Sequence, residues 1–378
     1  MRKVYTNGWS REYIDANKDC LRLNTDVRVI EVGSFHTNLT TSQGRCYCWG
    51  DNTELQLGTD QLEENMAVFR LLKGEERLRR VAVGDEHNVV LTKHKTVFTF
   101  GSNNRGQLGL NDTKGHLRII MNETLSRCKL TGVFAKKDES FGITGDGKVV
   151  FWPISDKNLS IGVLNLPDKQ KARTMSLGDD FVMILTHKGY LYSYGQKNEK
   201  GQLGLGHDYP VSKPTWISTL KTERIKTISC GRSHTLALTK NNKIYSWGEG
   251  SDGQLGHGVT DDFLKPTAVK MRQGAERVIQ VASSFRGSYA LLNNGKVFWW
   301  GRNSRIAKLS RPQLLRGASN NEHFTVQVRT SWSNTMSIAY LILCDLRYLD
   351  GVLASNKIIT AREMANRWAE GISQCKKP

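Results

Sequence analysis

A two-part motif recurs at a nearly constant interval, and this repeat limits the folds that the chain can adopt. Its clearest copy runs from Ile244 to Gly258 and combines an aromatic strand that ends in glycine with a glycine-rich turn. Aromatic and β-branched residues favour strands, and glycine permits the positive φ angles of tight turns. The aromatic-glycine pair occurs at Trp49-Gly50, Phe100-Gly101, Tyr194-Gly195, Trp247-Gly248 and Trp300-Gly301, and Gln-Leu-Gly follows at Gly58, Gly109, Gly204 and Gly256.

Two less regular copies raise the count to seven. Val149 to Pro153 fills the gap between the second and third pairs, with proline in place of glycine, and Lys3 to Gly8 aligns with Lys296 to Gly301. The glycines, or the proline, stand at positions 8, 50, 101, 153, 195, 248 and 301. A period of about 50 residues is typical of repeat architectures such as propellers.

A second motif precedes the aromatic strands. Glycine is followed three residues later by histidine and then by an apolar strand at Gly33 to His36, Gly84 to His87 and Gly231 to His234. Each period therefore holds about four short strands, which is the content of one propeller blade. We predict an all-β, seven-bladed β-propeller over residues 1–345, with a degenerate blade around 130–175.

The two ends of this unit complement each other. The strands expected at 325–328 and 337–344 lack a following aromatic-glycine strand, and the strand at 4–7 lacks a preceding one. Pairing of the N- and C-terminal strands completes a mixed seventh blade and removes open sheet edges. The tail at 346–378 contains a capping-box pattern and apolar residues at helical spacing, which predict a short amphipathic helix at about 360–373. That helix could dock on the propeller or bind a partner.

Other features exclude several classes of protein. No run of about 18 apolar residues indicates a membrane span. The seven cysteines are odd in number and form no Cys-x-x-Cys pair, so we expect no metal site and no cofactor, with Cys46 and Cys48 as small core residues. The start of the chain shows no signal or transit pattern, which predicts a protein of the cytoplasm, the nucleus or both. We also expect the propeller to be monomeric.

The formal net charge of +18 is the first indication of function. Between Glu276 and Glu322 there is no acidic residue, and this stretch predicts a basic side on the last blades. Solubility needs a net charge of only about 2 to 8, so the excess favours an acidic partner, either a protein surface, chromatin or nucleic acid. The predicted contacts are Arg302, Arg305, Lys308, Arg311 and Arg316.

Trp299 and Trp300 alternate on their strand, so we expect one in the blade core and the other exposed.

The two motifs in phase resemble the regulator of chromosome condensation family of β-propellers, over residues 1 to about 345. The resemblance implies a seven-bladed propeller, but members of the family range from nucleotide exchange factors to ubiquitin-ligase scaffolds and a photoreceptor. Fold alone does not choose among these functions. The founding member is the exchange factor for the Ran GTPase, and its important acidic residues and a histidine lie in the glycine-x-x-histidine turns.

The resemblance therefore implies Asp85, Asp138 and His234 as exchange residues. The repeated turn position of the histidine favours a structural role instead, and turn aspartates commonly bind nearby backbone N–H groups. The turn at 101–109, which is extended into a wedge in the exchange factor, has regular length here, and an irregular segment occurs instead at 155–162. A basic N-terminal tail is also missing.

Sequence motifs of conventional enzymes do not occur in the chain: there is no nucleophile elbow, no phosphate-binding loop and no His-Glu-x-x-His pair. Two hypotheses remain. The first is a non-enzymatic protein-interaction platform whose basic face binds an acidic partner. The alternative is a guanine nucleotide exchange factor for a Ran-like small GTPase. The regular length of the loops favours the platform.

Overall fold

The computed structural model describes most of the predicted propeller. The described residues are 2–7, 20–23, 27–41, 45–58, 66–70, 78–110, 112–113, 116–152, 161–271, 276–303, 306–315, 323–330 and 339–345. The predicted helix at 360–373, most of the irregular segment at 155–162, and two of the predicted basic contacts, Arg305 and Arg316, lie outside these residues.

The described residues form seven antiparallel sheets of four strands each. The strands of the N-terminal half are β1 (Arg2–Asn7), β2 (Cys20–Leu23), β3 (Val27–Val32), β4 (His36–Thr41), β5 (Arg45–Gly50), β6 (Met66–Arg70), β7 (Leu78–Val83), β8 (His87–Thr92), β9 (Val97–Gly101), β10 (His116–Met121), β11 (Leu130–Lys136), β12 (Glu139–Thr144), β13 (Val149–Trp152) and β14 (Gly162–Leu164). Those of the C-terminal half are β15 (Ala172–Leu177), β16 (Phe181–Thr186), β17 (Leu191–Gly195), β18 (Val211–Trp216), β19 (Ile225–Cys230), β20 (His234–Thr239), β21 (Ile244–Gly248), β22 (Phe263–Ala268), β23 (Val278–Ser283), β24 (Gly287–Leu292), β25 (Val297–Asn303), β26 (Ile306–Leu314), β27 (His323–Thr330) and β28 (Ala339–Asp345).

Helical structure among these residues is confined to connections between sheets. The α-helix α1 spans Glu123–Arg127, and two 3₁₀ turns span Pro167–Lys169 and Ser218–Leu220. Sheets one to six each use four consecutive strands, beginning with β3, β7, β11, β15, β19 and β23. The third sheet, which corresponds to the degenerate copy, also has four strands. The all-β propeller prediction is therefore confirmed.

The seventh sheet combines both ends of the chain, in the order β2-β1-β28-β27. Strands β1 and β28 are antiparallel, and Val4 lies opposite Ile342. This confirms the predicted pairing of the N- and C-terminal strands. Strand β27 also contacts β23 of the sixth sheet and β3 of the first, so the mixed sheet lies beside both of them.

Both faces of the inner strands are covered by neighbouring sheets. The second strands β8, β16, β20 and β24 are buried at all six of their positions. Trp299 is 8% exposed and Trp300 0% exposed, so the expectation that one of the pair would be exposed is wrong. Alternation along a strand separates the two faces of a sheet, but in this fold another sheet packs against each face. Cys46 and Cys48 are both fully buried, as predicted.

The Gln-Leu-Gly motif of sheets one, two, four and five packs against the aromatic residue of the next sheet. The indole Nε1 of Trp152 donates to the carbonyl oxygen of Gln107 at 2.9 Å, and that of Trp247 donates to Gln202 at 3.0 Å. A Cβ atom added at Gly204 would lie 2.6 Å from the Trp247 Nε1 atom, and the φ angle there is +70°. Glycine is thus required because the aromatic ring of the following blade packs directly on the turn.

The motif histidines connect blades in a similar way. The Nε2 atoms of His36, His87 and His234 lie 2.9, 2.7 and 3.0 Å from a polar side chain of the next sheet, namely Asn88, Ser140 and Ser288. Burial lowers the pKa of His36 to about 4 and those of His87 and His234 to about 3. The three rings are therefore neutral at pH 7 and form part of the interior.

Candidate functional site

Four of the predicted site residues, Asp85, Asp138, Arg302 and Lys308, lie at one end of the propeller, which we call the turn end. In sheets one, two, four, five and six, the turn between the first two strands lies beside the loop that follows the third strand. The backbone N–H of Asp51 donates to Phe35 at 3.0 Å, and that of Arg302 donates to Arg286 at 2.9 Å. Because this pairing recurs in these sheets, Asp85 lies at the same end as Arg302 and Lys308. The ion pair between Asp138 and Arg105 places Asp138 there as well.

A basic cluster lies between the fifth and sixth sheets at this end. The carboxylate of Asp252, with only 3% of its side chain exposed, is 3.0 Å from Arg286, 3.5 Å from Arg302 and 3.1 Å from Lys308. The three cations are 34%, 48% and 51% exposed. We use the name basic cluster for Arg286, Arg302 and Lys308 around Asp252. It carries two positive charges in excess of its single carboxylate.

Two further cations lie where the fifth and sixth sheets meet. The Arg232 guanidinium lies 4.9 Å from the ring centroid of Phe285, and the Arg286 guanidinium lies 5.6 Å from the same ring. Exposed Arg311 packs over Gly258, where an added Cβ would lie 2.5 Å from its Nε atom. The basic stretch predicted from sequence is nevertheless divided, because Arg277 pairs through its carbonyl with Asn293 at the opposite end of the sixth sheet.

Carboxylates occupy the turns of the second and third sheets. Asp85 accepts a hydrogen bond from Ser34 Oγ at 2.5 Å, and Asp138 forms an ion pair with Arg105 at 3.4 Å. Burial, opposed by the Ser34 hydrogen bond, raises the pKa of Asp85. Burial and then the nearby carboxylates of the first three sheets raise the pKa of Glu86. The two predicted aspartates are therefore neighbours, whereas His234 lies in the interior between the fifth and sixth sheets.

A central channel opens beneath these turns. A cavity of about 480 Å³ is lined by the first strands of sheets one to six. Lys136, at the end of β11, is only 7% exposed and lines this cavity. Its Nζ atom lies 3.3 Å from the Asp179 carboxylate and donates to the Leu177 carbonyl oxygen at 3.3 Å. Burial lowers the pKa of Lys136 to about 7, despite the raising effect of Asp179.

The Asp179 carboxylate lies close to three cations, as the Asp252 carboxylate does. Besides Lys136, Lys137 lies 3.2 Å and Arg232 3.6 Å from the same carboxylate. Sequence reasoning missed Lys136, although a signal was present. At the last position of the first strand, where β7 has Val83 and β15 has Leu177, β11 has a lysine.

The described residues offer neither a metal-binding group of side chains nor a membrane-spanning helix. In that part of the chain, no set of three or more histidine, cysteine, aspartate or glutamate side chains is grouped so as to hold a metal ion. No helix there has the length and apolar character needed to cross a membrane.

Comparison with known proteins agrees with the repeat. A model of the regulator of chromosome condensation (RCC1) repeat matches residues 43–91, 188–238 and 241–291, and a second model of that repeat matches 27–56, 79–107 and 225–254. The mitochondrial RCC1 domain-containing protein RUG3 of Arabidopsis thaliana is 30% identical over 322 residues, which cover 80% of this chain and 69% of that protein. The chain belongs to the RCC1 repeat family.

Solved structures support the same fold for this RCC1 repeat protein. Prp20p from Saccharomyces cerevisiae superposes with a TM-score of 0.76 at 18% identity, covering 98% of this chain and 95% of that one. Human WBSCR16 superposes with a TM-score of 0.75 at 17% identity, covering 90% of this chain and 98% of that one. At these identities the likeness shows the fold alone. Members of the family act in protein interaction or nucleotide exchange.

Proposed function

We propose that this propeller is a protein-interaction platform and that its basic cluster binds the acidic surface of a partner protein. The observation that carries the proposal is the convergence of Arg286, Arg302 and Lys308 on one buried carboxylate, Asp252. The side chains remain one third to one half exposed at the rim of a rigid ring. A partner carboxylate can therefore reach them without displacing the fold.

Asp252 prepares these cations for binding. A free arginine or lysine side chain loses about 2 kcal/mol of rotamer entropy when it is held in one geometry. Contacts to the buried carboxylate, together with the donation from Lys308 to the Ser251 carbonyl at 3.1 Å, already restrain the basic cluster before a partner arrives. Preorganised groups bind with a smaller entropic cost, so this cluster is a better contact than isolated surface lysines.

Nearby carboxylates favour a protein over nucleic acid as the partner. Asp261 and Asp262 are exposed on the loop of the fifth sheet that also carries Asp252, and Glu249 lies close to Ser251. A nucleic-acid backbone follows a continuous line of positive charge and contacts several phosphates in succession. The patch here is short and is interrupted by negative charge, which suits complementary charges on a protein surface.

Neutralising the exposed cations tests this proposal. In a triple variant with Arg302→Gln, Lys308→Gln and Arg311→Gln, Arg286 still pairs with Asp252, so the buried carboxylate keeps a partner. We expect the affinity for a polyglutamate peptide to fall about tenfold or more, with a shallower salt dependence, because both effects follow from loss of charge pairs. Isothermal titration calorimetry at two salt concentrations measures both quantities.

A matched control removes the same charge from the opposite end, through Lys93→Gln, Lys188→Gln and Lys240→Gln. We expect this control to bind the peptide nearly as well as the wild type. Equal losses in the two triple variants would mean that only net charge matters and would refute the basic cluster as the contact. If a short DNA duplex binds as tightly as the peptide and is lost in the same variant, the partner is nucleic acid or chromatin.

Nucleotide exchange on a Ran-like GTPase is the second candidate. It is favoured by the proximity of Asp85 and Asp138 at the turn end, and Prp20p was studied together with its binding to Gsp1p and histones. Against it, the turn at 101–109 is compact, with backbone hydrogen bonds from Gly106 to Asn103 and from Gly109 to Gly106, both at 2.9 Å. A wedge, if present, must come from another loop.

Release of fluorescent guanine nucleotide from Ran and related GTPases decides this second candidate. If the protein is an exchange factor, catalytic amounts accelerate release, and Asp85→Ala with Asp138→Ala reduces the acceleration about tenfold or more, as expected for groups that touch the partner. The control is Asp146→Ala, at an exposed hairpin of the opposite end. No acceleration on any GTPase excludes exchange and leaves the platform.

The cellular compartment remains part of the proposal. The sequence predicts cytoplasm or nucleus, whereas the name of the Arabidopsis relative assigns that protein to mitochondria. Microscopy of a fluorescently tagged full-length protein decides between these compartments.

A further inference from the structure

Lys136 is a lysine in an unusual place: its amine lies inside the propeller, at the wall of the central channel. We propose that Lys136 is a covalent attachment site, whose amine forms a reversible imine with small aldehydes or ketones that enter the channel. The proposal rests on a buried amine, a cavity large enough for a small molecule, and a carboxylate within reach of the same nitrogen.

The cavity provides access and room. Its volume of about 480 Å³ falls within the range of about 300–1,000 Å³ found for small-molecule sites. Hydroxyl groups of Ser176 and Ser229 line it, and each accepts a hydrogen bond from a backbone N–H of the next sheet, at 2.9 and 2.8 Å. The O–H hydrogen of each serine can therefore donate to a carbonyl or hydroxyl oxygen of a ligand. Hydroxylated carbonyl compounds suit such a wall.

The surroundings of the Lys136 amine favour its neutral, nucleophilic form. Desolvation penalises the ammonium ion, and the like charge of Lys137 acts in the same direction, so that the pKa lies at about 7. An ordinary lysine with a pKa of about 10.4 is neutral in roughly one molecule in 2,500 at pH 7, so the neutral fraction of the Lys136 amine is far larger. The titratable groups that face Lys136 come from four sheets: Asp85, Lys137, Glu139, Asp179, Cys230 and His234.

Asp179 is placed to transfer protons during the reaction. The neutral Nζ attacks the carbonyl carbon, a C–N bond forms, and the carbonyl oxygen becomes the hydroxyl of a carbinolamine. Protonation of that hydroxyl and loss of the remaining N–H proton release one water and leave the C=N bond. The carboxylate, 3.3 Å from Nζ, can accept the proton from nitrogen and return it to the departing oxygen. No oxidant or reductant is needed, and hydrolysis restores the amine.

Reductive trapping of the wild-type protein tests the proposal directly. The protein is treated with glyceraldehyde and cyanoborohydride at several pH values, and adducts are quantified for each lysine by mass spectrometry. We expect Lys136 to react at least about tenfold faster than exposed Lys188 at pH 7, and its rate to level off above about pH 8 as the amine becomes fully neutral. Labelling of Lys136 no faster than Lys188 would overturn the proposal.

Two further experiments test whether the labelled amine is that of Lys136 and whether it is reached through the channel. Lys137 is adjacent in sequence, so a Lys136→Met variant is labelled in parallel; persistence of the fast adduct in that peptide would assign it to Lys137 and refute the site. A dextran that carries aldehyde groups is too large for the channel, and we expect it to modify Lys188 but not Lys136. Modification of Lys136 by the dextran would show that the amine is reached from outside the channel and would also refute the proposal.

Discussion

Replacing Trp247 with alanine is expected to lower the free energy of unfolding by about 3–5 kcal/mol, the range found for removal of a buried large aromatic side chain. Trp247 is 0% exposed and belongs to a core cluster shared by the fourth and fifth sheets. The substitution also removes the indole donor to the Gln202 carbonyl, which then lies buried with one partner fewer. Urea unfolding followed by circular dichroism measures the change.

Tyr209→Ala is the matched control for this substitution. Tyr209 is also aromatic, but it is 61% exposed and stacks on His207 at the surface. Surface substitutions of this kind usually change stability by about 0.5 kcal/mol or less. If the two variants were equally stable, the packing of the aromatic residue on the Gln-Leu-Gly turn would contribute little to the free energy of unfolding. That result would contradict the packing described above.

Gly248→Ala is expected to destabilise the fold by about 2–3 kcal/mol, because the new side chain meets both backbone strain and a steric clash. The φ angle of Gly248 is +99°, and an added Cβ would lie 2.3 Å from the backbone oxygen of Ser233. That oxygen accepts the Glu249 N–H at 2.8 Å, so movement away from the clash weakens a hydrogen bond of the turn end. Urea unfolding followed by circular dichroism measures this change in the free energy of unfolding as well.

Gly145→Ala provides the comparison within the same class of substitution. The nearest atom to a Cβ at Gly145 is the Lys129 carbonyl oxygen at 3.8 Å, an ordinary contact, so we expect little change or a small gain in stability. A loss at Gly145 as large as that at Gly248 would show that the aromatic-glycine position has no special requirement for glycine.

Local patterns in the sequence were sufficient to predict the repeat and its blades. The spacing of the aromatic-glycine and Gln-Leu-Gly motifs predicted seven blades. Each motif forms a strand or a turn from residues that are close in sequence, and the motifs recur about every 50 residues. The pairing of β1 with β28 could also be predicted, since each terminal segment lacked the strands that the other supplies. The structure adds a physical reason for both motifs: they hold successive blades together.

Which charges meet could not be predicted, because each cluster gathers residues that are far apart in sequence. Asp252 binds Arg302, 50 positions away, and Lys308, which lies still further along the chain. A count of basic residues predicted a positive stretch, but not that its members would separate between two ends of the propeller. Side-chain pairing of this kind depends on how the sheets are arranged in space.

The exposure of particular side chains also depended on the neighbouring sheets. Alternation predicted that one of Trp299 and Trp300 would face solvent, yet both are buried, because sheets pack on both faces of the strand. Lys136 stands at a strand end where a lysine ordinarily reaches water, and the ring geometry places it at a channel wall instead. The sequence by itself therefore determined the repeat, the strands and the pairing of the two ends, because these depend on local residue preferences and spacing. Only the tertiary structure decided which charges cluster and which side chains are desolvated, because both depend on contacts between blades.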